Sequence, residues 1–244
     1  MGPLALAIAL LAQTSPGLRV LFIGNSLTAA NELPAMVEGL ARAGAQRPLV
    51  WKAVLQPGAS LGDQWSAGEA RRAIRAERWD VVVLQQGPSA LPESRQLLRR
   101  DAALFAKEIR AAGARPALYM VWPSRDRSFD FDGVSLSYRT AARDVDGLVF
   151  PVGEAWRAAW ARDRSVELYS SDGLHPTPQG SYLAAVVLYE GLYGESPVGL
   201  PGRVLDRTGA RTLVDLPPER ARLLQEAAAD ANRRFGARPA AGAN

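Results

Sequence analysis

A chain of 244 residues, 48% hydrophobic and 22% charged, is composed as one globular domain with a sizeable core. Its net charge of +4 comes from 29 basic and 25 acidic residues interleaved along the chain, so no basic stripe points to a nucleic-acid partner, and no zinc-finger or RNA-binding signature occurs. The absence of cysteine excludes disulfides, thiolate nucleophiles and thiolate metal sites; no spacing of carboxylates around the one imidazole argues for a metal, and no cofactor is expected.

Met1 to Ala12 is apolar and too short to span a bilayer. Residues 1–16 read as a secretory signal, which makes the protein secreted or periplasmic, or as a short apolar leader of a cytoplasmic one. Arg19 to Ile23 reads as a buried strand. Asn31 is placed to cap a helix running to about Arg42, with Gly44 as its stop. Leu49 to Leu55 is a second strand, Pro57 to Gly62 a turn-rich loop, and a single helix follows to about Glu77. Asp80 to Leu84, with Val81, Val82 and Val83 inside, is the strongest strand signal. A long helix covers about Pro92 to Ala112. Ala117 to Trp122 is a fourth strand, Ser124 to Gly133 a loop, Leu136 to Val145 a helix and Leu148 to Pro151 a fifth strand. Glu154 to Arg162 is helical. Thr177 caps a helix with Pro178 at its first position, reaching Tyr193. Residues 194–216 read as irregular, Pro218 to Phe235 as a last amphipathic helix, and 237–244 as a disordered tail. Strands alternating with helices imply a three-layer α/β/α sandwich around a parallel sheet of about five strands, a single domain over 17–236. The loops after its strands then share one edge, where sites form in such sheets.

Ser26 follows the first strand directly. A serine nucleophile needs a base near neutral pH, and an imidazole is the side chain suited to that task. The chain has one histidine, His175, so that base is His175. Asp172, three residues earlier, is placed to accept the other ring N–H and to fix the tautomer. The motif is not the Gly-x-Ser-x-Gly elbow, because Thr28 occupies the final glycine position.

Gly24-Asn25-Ser26-Leu27 resembles the first block of the SGNH (GDSL-type) hydrolases, and Asp172-Gly173-Leu174-His175-Pro176 resembles their last block, Asp-x-x-His. The resemblance runs from about Arg19 to Tyr193. It is strongest to a bacterial branch that carries Leu84-Gln85-Gln86, the run Pro151 to Trp156, and Leu168 to Pro176. It implies a flavodoxin-like fold and hydrolysis of an ester, with O-acyl groups on carbohydrates as leading substrates and lipid esters as another class. It also implies an oxyanion hole made by the Ser26 N–H, a block-two N–H and a block-three side-chain amide. Here the chain departs from the family. Block two leaves Leu61 or Gly62 as donor. Block three has no Gly-x-Asn-Asp, so Gln85, at the strand end, is the preferred substitute and Gln86 its alternative. A different class of function is a catalytically weak glycan-binding or accessory domain; thioester or phosphoester hydrolysis on the same serine is a third reading. Trp65, Trp122 and Trp156 stack on a sugar or pack between helix and sheet. Arg125 and Arg127 meet an anionic substrate or are surface charges.

Overall fold

The computed structural model describes residues 17–236; the leader read over 1–16 and the tail over 237–244 lie outside the described residues. The chain runs β1 (Leu18–Gly24), α1 (Ser26–Ala29), α2 (Leu33–Ala43), β2 (Leu49–Leu55), α3 (Leu61–Ala67), α4 (Glu69–Ala76), β3 (Val81–Leu84) and α5 (Pro92–Ala111). It continues with β4 (Arg115–Tyr119), α6 (Phe131–Asp144), β5 (Leu148–Phe150), α7 (Val152–Arg162), α8 (Pro178–Tyr193), β6 (Arg203–Leu205), β7 (Thr212–Asp215) and α9 (Pro218–Phe235). Five parallel strands form one sheet in the order β2-β1-β3-β4-β5. This is the flavodoxin-like order, and it confirms the three-layer α/β/α architecture.

Helices cover both faces, so the central strands are apolar throughout rather than alternating. Val20 to Ile23 on β1 and Val82 to Leu84 on β3 are almost fully buried. On one face α2 and α8 lie together, with α7 and α9 packed on α8; α3 to α6 follow one another on the other face. Thr177 caps α8 by accepting the Gly180 N–H at 3.2 Å, with Pro178 at the first position. From Gly180 to Tyr189 every residue of α8 is buried, as a helix enclosed by sheet and helices requires.

Several elements differ from the sequence reading. Asn31 caps no helix: it sits in a 3₁₀ turn with φ 51°, and α2 starts at Leu33. The single helix after the second loop is two, α3 and α4, broken at Gly68 with φ 77°. The fourth strand is Arg115–Tyr119. Met120, Val121 and Trp122 are buried past its end under α7, with only the Met120 N–H still donating to β5, at Phe150 O (3.0 Å), and burial past the ladder looks the same in sequence. α6 starts at Phe131, whose ring is buried, inside the stretch read as a loop. Residues 194–216 hold the antiparallel hairpin β6–β7. Its inward pattern is reduced to Val204 and Val214, too short to read as alternation.

Candidate active site

β1 ends at Gly24, and the chain turns at once into α1, which begins at Ser26. Asn25 is the N-cap, its Oδ1 accepting the Leu27 N–H at 3.1 Å. Its Nδ2 donates to Ala59 O at 3.0 Å and so holds the loop after β2. A Cβ on Gly24 would lie 2.5 Å from Gln85 Oε1 and 2.8 Å from the Thr28 hydroxyl, so any side chain here would displace the Gln85–Thr28 hydrogen bond. Gln64, buried on α3, donates to Gly24 O at 2.6 Å. The sequence held a signal for Asn25, a cap residue beside a strand end; it held none for Gln64.

The loop before α8 brings the base. Its start and end are joined by a bridge between Tyr169 and Pro176. Asp172 Oδ1 accepts the Leu174 N–H at 2.8 Å, the His175 N–H at 2.9 Å and the Ser170 hydroxyl at 2.8 Å. Asp172 Oδ2 lies 2.6 Å from His175 Nδ1, and His175 Nε2 lies 2.9 Å from Ser26 Oγ. The structure thus brings Ser26, His175 and Asp172 into one hydrogen-bonded line. These contacts, led by the Leu174 N–H and then His175, hold the Asp172 carboxyl well below the usual carboxylate range. The fixed donors around Asp172 favour its charged form, and so does the water that reaches a side chain 48% exposed.

Ser26 opens onto a cleft of about 440 Å³ lined by Leu27, Gly58, Ala59, Gln86, Arg100 and Leu174, among others. Of the expected oxyanion donors, Ser26 and Gln86 line the cleft, whereas Gln85, Leu61 and Gly62 do not. Gln85 is buried beneath the nucleophile turn with its whole amide engaged. Oε1 accepts the Asn25 N–H at 2.9 Å and the Thr28 hydroxyl at 2.7 Å; Nε2 donates to Asn25 Oδ1 at 2.9 Å and Gln86 O at 2.8 Å. Both amide hydrogens are used, so Gln85 has none for a substrate. The Leu61 N–H donates to Gln86 Oε1 at 3.0 Å, and neither Leu61 nor Gly62 lines the cleft, because the chain has already entered α3. Gln86 does line it; Nε2 donates one hydrogen to Ser89 Oγ at 2.8 Å. Among the described residues, the Ser26 and Gly58 N–H groups donate to no protein acceptor.

The tryptophans pack. Trp122 and Trp156 are fully buried and stacked, ring centroids 3.7 Å apart, and Trp122 Nε1 donates to Leu174 O at 3.0 Å, pinning the histidine loop. Trp65 lies edge-on to Phe105. Arg127 pairs with Asp130, and Arg125 lies over the Tyr169 ring near Glu167.

A candidate SGNH hydrolase from Slackia heliotrinireducens is similar at 32% identity, over 71% of this chain and 98% of that one, with a TM-score of 0.59. The chain belongs to the SGNH hydrolase family. Two further solved structures share the fold of this SGNH hydrolase. A DUF4886 family protein from Bacteroides uniformis ATCC 8492 has 18% identity and a TM-score of 0.71, over 88% of this chain and 94% of that one. The acetyl xylan esterase AlAXEase has 14% identity and a TM-score of 0.58, over 71% of this chain and 98% of that one. No family model matches the sequence, and no curated protein does. Among the described residues of this SGNH hydrolase, no helix is long and apolar enough to cross a membrane.

Proposed function

We propose that the protein is a serine esterase working through an acyl-enzyme on Ser26. One observation carries the reading: His175 Nε2 is 2.9 Å from Ser26 Oγ while Nδ1 is 2.6 Å from Asp172 Oδ2. With Nδ1–H held by the carboxylate, Nε2 carries the lone pair and accepts the Ser26 proton as Oγ attacks the ester carbonyl. The oxyanion is met by the Ser26 N–H, the second hydrogen of Gln86 Nε2 and the Gly58 N–H. His175 then returns the proton to the departing alcohol. It next deprotonates a water that attacks the acyl carbon, releasing the acid and restoring Ser26.

O-acyl groups on carbohydrates are the leading substrates. The fold shared with an acetyl xylan esterase supports this choice, as does a cleft that combines backbone amides, Ser60, Ser94 and Arg100. The commitment of Gln85 to the turn favours a second reading, a catalytically weak glycan-binding domain. Turnover of acetylated sugars and of a plain acetate ester separates the two. Ser26→Ala is expected to lower that turnover by about 10³- to 10⁶-fold with the fold retained. Unchanged turnover in the variant would remove Ser26 from the chemistry.

A further inference from the structure

We propose that Asn31 is a positioning residue that sets the distance between Ser26 and His175; the proposal rests on the esterase reading above. The nucleophile and its base lie 149 residues apart in sequence, on two segments brought together where α2 packs against α8. Asn31 spans the gap between them. Its Nδ2 donates both hydrogens to the far segment, to Pro176 O at 3.0 Å and to Ser181 Oγ at 2.8 Å. Pro176 directly follows His175, and Ser181 lies on α8, which the histidine loop enters. Apart from the Ser26–His175 contact, the hydrogen bonds joining residues 25–32 to 168–181 run through Asn31 or Ser181.

The backbone at this point is in an unfavourable conformation that its contacts maintain. Asn31 and Glu32 are consecutive non-glycine residues in the left-handed region, at φ 51° and 55°. Asparagine tolerates that region better than most residues; glutamate does not. Glu32 is held there by a two-pronged ion pair with Arg211, just before β7, with Arg211 Nη2 at 2.6 Å from Oε2. A strained pair held from both sides, between a nucleophile and its base, sets geometry rather than filling space. The bonds of the histidine loop to Trp122, Pro123 and Arg125 fix it to the segment after β4 and not to the nucleophile.

Asn31→Ala and Asn31→Gly separate positioning from stability. Both lose the amide; glycine also relieves the backbone, so it should melt higher than alanine by about 2–4 °C. Both should lower kcat about 10- to 100-fold with KM nearly unchanged, the cost of a displaced base. Both should also slow the phosphonylation of Ser26 by a small fluorophosphonate to a similar degree. In that reaction Oγ displaces fluoride from phosphorus and His175 takes the proton, so its rate reads Ser26–His175 alignment directly. Variants that react at the parent rate would overturn the proposal, as would slowing that follows melting temperature, with alanine impaired and glycine normal. A parent protein that is not labelled at Ser26 would remove the esterase reading, and this proposal with it.

Discussion

Gln85 and Asn25 clasp each other through both ends of one amide: Gln85 Oε1 accepts the Asn25 N–H at 2.9 Å, and Gln85 Nε2 donates to Asn25 Oδ1 at 2.9 Å. Both residues are buried, and the Thr28 hydroxyl shares the same acceptor at 2.7 Å. Gln85→Ala therefore leaves the Asn25 N–H and the Thr28 hydroxyl without a partner. Each orphaned buried group costs about 1–3 kcal/mol. The melting temperature should fall by roughly 5–15 °C, and turnover should fall with it because the turn carrying Ser26 loosens. Calorimetry together with kinetics checks this; a variant with the parent's melting temperature would contradict it.

Gln86 should act on the chemistry directly. Gln86→Glu keeps an oxygen for the Leu61 N–H but removes the hydrogens facing Ser89 and the cleft. Turnover should drop by about 10²–10³, as for other lost oxyanion donors. The melting temperature should also fall, because the new carboxyl group sits at a position only 5% exposed, so turnover is compared at a temperature where the variant is folded. Parent-like turnover would take Gln86 out of the oxyanion hole and leave the backbone donors to act alone.

The pH profile should show one ionisation on its acid side. The Asp172 carboxyl is held well below its ordinary value, first by the Leu174 N–H and then by His175. A carboxyl lowered in the folded state adds stability above its unfolded value of about 3.9, and that contribution is lost as pH falls through the folded value. Asp172 thus stays charged through mild acid and takes up no proton there, which leaves one general base, His175, to account for the loss of activity as pH falls. kcat/KM measured from mild acid upward should rise along a limb of unit slope. A slope of two, or no limb at all, would be inconsistent with one general base.

Asp172→Asn keeps the shape but cannot hold the ring with Nδ1–H toward it as a carboxylate does. Turnover should fall by something like 10⁴-fold through the wrong tautomer. Phosphonylation of Ser26 should slow in parallel, since it needs the same base. A variant within a few-fold of the parent would mean that Asp172 only shapes the loop.

The sheet was legible in the sequence because parallel strands covered on both faces are written as unbroken apolar runs, as in Val81-Val82-Val83-Leu84. Thr177-Pro178 at the start of α8 and Gly44 after α2 were legible because caps are local. The hydrogen-bonded trio was legible by elimination, one histidine with an aspartate three residues before it. The tertiary structure decided where each amide points. Gln85 and Gln86 are adjacent and alike in sequence, yet one is spent on Asn25 and Thr28 while the other lines the cleft. Strand alternation says that they differ but not which faces the nucleophile. It also decided that Asn31, which reads as a helix cap, turns left-handed and reaches Pro176 from 145 residues away. A hydrogen bond of that span depends on how two distant segments pack, and no local preference encodes it.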